Sequence, residues 1–107
     1  FFFGTWAPDY QDPVNSLEQY VTGGGINFAN YSSEAYDKAV AEVKTTYATK
    51  PAERYKQMIA AEKIVMDDAI VAPIYQASQS YLLAENVDGF EVLPFGRTIN
   101  LRQASVK

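Results

Sequence analysis

Carboxylates are the side chains in this sequence whose type and spacing could do chemistry. The chain contains no histidine and no cysteine, so it has no imidazole base, no thiol nucleophile and no Cys/His metal site. Asp9 and Asp12 lie close together near the start, and Asp67 and Asp68 are adjacent. None of these acids has the spacing of a calcium-binding loop. We therefore expect no metal ion, no cofactor and no catalytic residue.

The pair Asp9 and Asp12 allows several interpretations. The two acids could be the carboxylates of a glycosidase, although their spacing in sequence does not set their separation across a sugar. Asp12 precedes Pro13, which is typical of a helix N-cap followed by the first helical residue. Asp9 lies in a turn-rich stretch, where an aspartate is common as a solvated turn residue. Its carboxylate could alternatively hold a cationic group of a ligand.

Composition narrows the class of protein. Of the 107 residues, 48% are apolar and 21% are charged, which favours one folded domain with a modest core. The net charge of −4 argues against nucleic acid and against an anionic membrane surface as partners. No apolar run approaches the roughly 20 residues of a membrane-spanning helix.

Helix signals occupy the middle of the chain. A short helix is predicted from Asp12-Pro13, a second from Ser32-Ser33-Glu34, and a third from Pro51 to about Asp68. The last two carry apolar stripes at helical spacing, so we expect them to pack as an αα-hairpin. The stripe residues are Tyr36, Ala39, Val40, Val43 and Tyr47, then Tyr55, Met58, Ile59, Val65 and Met66. Glu62 interrupts the second stripe and should reach solvent or a hydrogen-bond partner.

Strand signals flank these helices, which predicts an α+β fold with a central αα-hairpin. The predicted strands are Phe1–Trp6, Ile70–Leu83, Phe90–Leu93 and Arg97–Leu101. A turn is expected over Asn86–Gly89. The polar tail from Gln103 is expected to fray.

An ordered set of short motifs resembles the peptide-binding branch of the large solute-binding proteins. Trp6-Ala7-Pro8-Asp9-Tyr10-Gln11-Asp12-Pro13 is similar to that family's Trp-x-x-Asp-Tyr-x-x-Pro signature. Further matches follow in the family's order: Asn27 to Tyr31, Tyr36-Asp37, Arg54-Tyr55, Ala61-Glu62, Ile70 to Tyr75, and Val87-Asp88-Gly89-Phe90. The chain therefore resembles the C-terminal part of an oligopeptide-binding protein of the peptide/nickel ABC transporter family.

The resemblance implies a fold and a domain arrangement. Members have a two-lobed, periplasmic-binding-protein-like (type II) fold and are several times longer than this chain. Residues 1–107 would then be a single fragment, the C-terminal part of the peptide-binding lobe. The strands from about residue 90 to 107 would return towards the other lobe.

The resemblance also implies a binding site. The aspartate at the position of Asp9 anchors the amino group of the peptide in the family. Trp6 and Ala7 would offer a backbone edge to the ligand, with Tyr10 beside them, and Trp6 is also compatible with a core position. Tyr75 and Ala77 would lie on a strand that enters the cleft. The small side chain of Ala77 implies a roomier pocket.

These residues favour a receptor without enzymatic activity. We expect an oligopeptide ligand, ABC transporter permease subunits as partners, and an extracytoplasmic location, either periplasmic or as a cell-surface lipoprotein. Membrane attachment would come only through a lipid anchor outside this fragment. The alternatives are a receptor for signalling peptides, a receptor for oligosaccharides and, less favoured, a carboxylate-dependent glycosidase. The isolated fragment should bind peptides weakly and self-associate through an apolar patch around Phe1-Phe2-Phe3 and Phe95.

Overall fold

A computed structural model describes residues 3–78, 80–93 and 99–107. Its helices are α1 (Val14–Leu17), a 3₁₀ turn (Glu18–Tyr20), α2 (Glu34–Lys44) and α3 (Pro51–Asp67). Four two-residue strands follow: β1 (Val87–Asp88), β2 (Glu91–Val92), β3 (Ile99–Asn100) and β4 (Ser105–Val106). Among the residues described, no helix combines the length and the apolarity needed to cross a membrane.

Helix α1 begins where the sequence predicts, with a small shift. Pro13 flanks the helix rather than opening it. The Asp12 carboxylate nevertheless accepts the Val14 N–H at 3.0 Å and so satisfies a donor that the helix leaves free. Asp12 therefore caps the helix start from one position before the predicted one, since Pro13 and not Asp12 is the N-cap residue.

Helix α2 agrees with its predicted start and with its predicted face except at Tyr47, which lies beyond the end of the helix at Lys44. Ser33 is the N-cap, and its hydroxyl accepts the Tyr36 N–H at 3.3 Å. The acids Glu34 and Asp37 lie in the first turn and Lys44 in the last, which suits the helix dipole. The buried residues are Tyr36, Ala39, Val40 and Val43.

Helix α3 begins at Pro51 as predicted, but its predicted apolar face is partly wrong. Its buried residues are Met58, Ala61 and Val65, whereas Tyr55, Ile59 and Met66 are 59%, 50% and 43% exposed. The face of α3 that contains Ala61 packs against the core. The Ala61 side chain is small and fully buried, so it lets the neighbouring helix approach closely. Glu62 is exposed, in agreement with the prediction.

The end of α3 has a left-handed backbone without glycine. Ala69 has φ of 52°, and the Ile70 N–H bonds back to the Val65 carbonyl at 3.3 Å. This is the hydrogen-bond pattern of a Schellman cap, in which glycine is usually preferred. Ile70 packs against the core beyond the cap.

Tyr36 lies at the centre of the core. Its ring is fully buried, and its hydroxyl donates to the Leu17 carbonyl at 2.6 Å. The rings of Tyr20 and Tyr31 pack edge-on against it, with centroids at 6.4 and 5.7 Å. The buried hydrophobic residues are Val14, Leu17, Tyr31, Tyr36, Ala39, Val40, Val43, Met58, Ala61 and Val65.

The strands form two antiparallel pairs, β1 with β4 and β2 with β3. Val87 lies opposite Val106, and Glu91 lies opposite Asn100. The expected strands within Phe90–Leu93 and Arg97–Leu101 are thus present in shortened form.

The prediction of a frayed tail is wrong, because β4 pairs with β1 and the Lys107 N–H bonds to the Asn86 carbonyl at 2.9 Å. Part of the turn expected over Asn86–Gly89 belongs to β1.

Two other predicted strands do not form in the described residues. Residues 3–6 and the described part of 70–83 contain no strand. A strand needs a hydrogen-bonded neighbour, and no described strand lies beside either segment. Phe1, Phe2, Gln79 and residues 94–98 lie outside the described residues, and the prediction of an apolar patch at Phe1-Phe2-Phe3 and Phe95 therefore falls mostly outside them.

Gly89 is the position at which the chain turns between β1 and β2. Its φ is +68°, a conformation that side chains disfavour. A Cβ added there would meet the Gln103 carbonyl oxygen at 2.0 Å. Glycine is therefore required on both steric and conformational grounds.

Candidate functional site

The segment around Asp9 is held by the residues that follow it. The Asp9 N–H donates to Asn15 Oδ1 at 2.8 Å, and the Asp12 N–H donates to the Tyr10 carbonyl at 2.9 Å. Asn15 is only 4% exposed and belongs to α1. The backbone at residues 9–12 is thus attached to a buried side chain.

Tyr10 attaches the same segment to two helical elements. Its hydroxyl donates to Glu18 Oε2 at 2.8 Å, and Glu18 also forms an ion pair with Lys44 of α2. The hydrogen bond to Glu18 raises the pKa of the Tyr10 phenol, with the Asn15 amide acting in the opposite direction. Hydrogen bonds from Lys44 and Tyr10 lower the pKa of Glu18. Glu18 is therefore held ionised between a phenol and an ammonium group.

Asp12 forms an ion pair that spans the helical unit. Both of its carboxylate oxygens accept from Arg54 Nη2, at 3.2 and 2.9 Å. Arg54 Nε also donates to the Val43 carbonyl at 3.1 Å, near the end of α2. Partial burial opposes ionisation of Asp12, but hydrogen bonds from Val14 and Arg54 and the charge of Arg54 outweigh it and lower the pKa. Asp12 is therefore engaged in a structural role.

Asp9, by contrast, leaves its carboxylate available. The residue is exposed, and its carboxylate has no hydrogen bond or ion pair to any residue that the structure describes. Ala7 is also exposed, and Trp6 and Tyr10 are 36% and 44% exposed. An exposed carboxylate can accept hydrogen bonds from an ammonium group, and partly exposed aromatic rings on the same segment can pack against the apolar part of a ligand.

The other two predicted site residues lie on a separate segment. Tyr75 is 69% exposed, and Ala77 is exposed as well. Within the described ranges, no hydrogen bond, ion pair or ring contact joins either residue to Trp6, Ala7, Asp9 or Tyr10. Four of the six predicted residues therefore lie on one segment because they are neighbours in the sequence, and the other two have no described contact with them.

Sequence reasoning missed the residues that support this segment. Asn15 resembles an ordinary helix residue in the sequence, and Arg54 was noted only as part of a motif match; their tertiary contacts show what they do. Sequence reasoning also assigned no partner to Asp68, whose carboxylate accepts the Tyr31 hydroxyl at 2.5 Å. The sequence offered one signal for such a partner: two adjacent acids at a helix C-terminus are electrostatically unfavourable unless a donor compensates them.

A groove of about 400 Å³ runs between α1, α3 and the segment after α3. It is mostly apolar, with Glu62 and Gln19 among its polar side chains. Its apolar lining includes Leu17, Tyr20, Tyr36, Tyr55, Met58, Ile59, Val65, Met66 and Val71. The groove coincides with the part of α3 that was predicted to be buried and is exposed.

Comparison with known proteins finds relatives that are all named as peptide-binding proteins. No protein-family model matches the chain. The dipeptide-binding protein DppE of Bacillus subtilis is 30% identical over 96 residues, which are 90% of this chain and 17% of that protein. The oligopeptide-binding protein OppA of the same species is 33% identical over 104 residues, 95% of this chain and 18% of that protein.

A solved structure shows the same fold. The substrate-binding domain of an oligopeptide ABC transporter from Bacillus anthracis superposes with a TM-score of 0.86 at 24% identity. The superposition covers 95% of this chain and 20% of that domain, which confirms the α+β fold expected of part of such a domain. The chain spans less than a fifth of the length of the curated relatives described above. Over nearly its whole length, the chain is similar to dipeptide-binding and oligopeptide-binding proteins.

Proposed function

We propose that this chain is part of the substrate-binding component of an ABC transporter, which binds oligopeptides through their amino terminus and backbone and catalyses no reaction. The observation that carries the proposal is the Asp9 carboxylate, which is exposed while its backbone is attached to the buried Asn15. Relatives with 30% and 33% identity are named as dipeptide-binding and oligopeptide-binding proteins, which supports it.

The chemistry follows from what all peptides share. An α-amino group carries a positive charge, and a carboxylate is its natural partner where water is scarce. A peptide backbone can pair as a strand with an exposed backbone segment, and Trp6 and Ala7, which form no strand within the described residues, offer theirs to the ligand. Asp9 takes the role of amine anchor, and Trp6 and Tyr10 line the site beside it. Tyr75 and Ala77 contribute the more distant wall of the cleft.

The remaining expectations concern the whole protein. Residues 1–107 are the C-terminal part of the peptide-binding lobe, with residues from about 90 returning towards the other lobe. The protein acts outside the cytoplasm with permease subunits as partners, and its attachment to a membrane, where present, is by a lipid anchor outside this segment. The relatives' names, which include periplasmic binding proteins of Escherichia coli, support this location. Nucleic acid is no partner of a chain with a net charge of −4.

The test is Asp9→Asn in the full-length receptor, with each peptide offered in free-amine and N-acetylated form. Asn keeps the size of the side chain but removes the charge that faces the amine. We expect the free-amine peptide to lose about 2–5 kcal/mol of binding free energy and the acetylated peptide much less. Isothermal titration calorimetry measures both.

Glu53→Gln is the matched control, because it removes an exposed acid on the first turn of α3 and should change neither affinity. Equal losses for the two ligand forms in Asp9→Asn would contradict the role of amine anchor. Mass spectrometry of co-purified ligand tests the ligand class independently: peptide mixtures support the proposal, one defined peptide indicates a signalling receptor, and hexose masses overturn it.

A further inference from the structure

The backbone beside Asp9 has few hydrogen-bond donors left to offer. Pro8 has no N–H, and the Asp9 N–H already donates to Asn15 Oδ1 at 2.8 Å. Two consecutive residues therefore present no free donor to a ligand. An added strand needs donors and acceptors in alternation along the edge that it pairs with. A peptide ligand can therefore form backbone hydrogen bonds with this segment up to Ala7, but residues 8 and 9 offer it no N–H donor.

The acceptor that occupies the Asp9 N–H is itself held in place. Asn15 is 4% exposed and is the one buried polar residue among those described. Its helix is attached to α3 through Asp12 and Arg54, whose closest atoms are 2.9 Å apart. A buried amide in this position has little freedom to turn away, because its polar atoms would lose their partners. The Asp9 backbone is thus fixed relative to the helical core.

We infer that Asn15 is a positioning residue that fixes Asp9 for the amine and, together with Pro8, ends the backbone edge available to a ligand at Ala7. The inference rests on the proposed function. It specifies how the first residue of a peptide is recognised: by its charge at Asp9 and not by backbone pairing at positions 8 and 9. Capping the amino end removes the charge, and extending it moves the charge away from Asp9; in either case the ligand gains no hydrogen bond at positions 8 and 9 in exchange.

Asn15→Leu in the full-length receptor is the direct test. Leucine is close in size but cannot accept, so the Asp9 N–H is left without its partner and the carboxylate loses its fixed position. We expect affinity for a free-amine peptide to fall about tenfold, while the N-acetylated form, to which the freed Asp9 N–H becomes available, does not weaken. Hydrogen exchange measured by mass spectrometry should also become faster over residues 6–12. Asn15→Asp keeps an acceptor oxygen and should retain slow exchange and the preference for the free amine.

Pro8→Ala tests the second half of the inference without changing the core. It restores one N–H, so binding of the N-acetylated peptide should improve relative to the free-amine form. Equal changes for both ligand forms in Asn15→Leu, or unchanged exchange over residues 6–12, would overturn the positioning role. If Asn15→Leu does not fold, the other two variants decide. The positioning role is overturned if a folded Asn15→Asp variant loses the preference for the free amine, or if Pro8→Ala gains no affinity for the N-acetylated peptide relative to the free-amine peptide. If Asp9→Asn weakens binding of both ligand forms equally, the proposed function fails. If Asp9→Asn weakens mainly the free-amine form but Asn15→Leu weakens both forms equally, only this inference fails.

Discussion

The helical part of the chain, from α1 to α3, and the strand part, from β1 to β4, differ in how completely they are packed. Among the residues that the structure describes, all of the buried hydrophobic ones lie between Val14 and Val65. The strands have two residues each, and Val92 and Val106 within them are 44% and 72% exposed. Helices satisfy their backbone hydrogen bonds internally, whereas strands depend on neighbours. The helical part therefore finds its packing and hydrogen-bond partners within this chain. Among the described residues, the strands pair over two residues each.

The sharpest test of this contrast introduces one charge into each part. Val43 of α2 is fully buried, so Val43→Asp places an unpaired carboxylate in the core. We expect it to unfold the helical part, with a loss of more than about 4 kcal/mol. Val92→Asp is the matched change in β2 and should cost little. Thermal unfolding followed by circular dichroism measures both, and a cooperative transition retained by Val43→Asp would contradict the packing described for α2.

Adjacent residues of α3 provide a test within the helical part. Met58 is 7% exposed and Ile59 is 50% exposed. Met58→Ala should cost about 2–5 kcal/mol, because it leaves a cavity. Ile59→Ala should cost less than about 1 kcal/mol. Urea denaturation gives both free energies of unfolding, and a larger loss for Ile59→Ala would show that α3 buries the other face.

Gly89→Ala should disrupt the strand part alone. The added Cβ would meet the Gln103 carbonyl, and the positive φ adds strain of about 1–3 kcal/mol. We expect the pairing of β1 with β4 to open while α2 and α3 remain folded. Amide protection of Lys107, whose N–H donates to the Asn86 carbonyl, should be lost when measured by NMR. Gly25→Ala, at a position with open space around it, is the control. Equal loss of protection in α2 would mean that the two parts unfold together.

Acid should weaken the helical part slightly. The pKa values of Asp12 and Glu18 lie below their ordinary values of 3.8 and 4.5, so the folded state favours their ionised forms. Their contribution is present above these ordinary values and is lost as the pH falls through the lowered ones. We expect a loss of about 0–1 kcal/mol for each partly exposed pair. The free energy of unfolding measured from pH 6 to pH 3 should fall less in Asp12→Asn/Glu18→Gln, and an identical fall would contradict the assignment.

The helices could be predicted because their signals are local. Ser33 and Pro51 mark helix starts within a few residues of their own position, and the structure agrees with both. The exposed face of α3 could not be predicted, because Tyr55 and Ile59 are as apolar as residues that face the core. Val87 pairs with Val106, far along the chain, and no local pattern specifies that partner.

The candidate site shows the same division. The motif around Asp9 indicated a carboxylate that could bind a ligand. The hydrogen bond from its backbone to Asn15 depends on how α1 packs, which spacing in the sequence does not reveal.

The ion pair between Asp12 and Arg54 has a consequence for the order in which the protein is made. The two residues are 42 positions apart, and synthesis proceeds from the amino terminus. The turn that carries Asp9 therefore leaves the ribosome well before the arginine that secures α1 against α3. A nascent chain that stops before Arg54 contains the Asp9 motif without this brace. Asp9 is therefore translated early, but the ion pair that stabilises its turn can form only after Arg54 has been made.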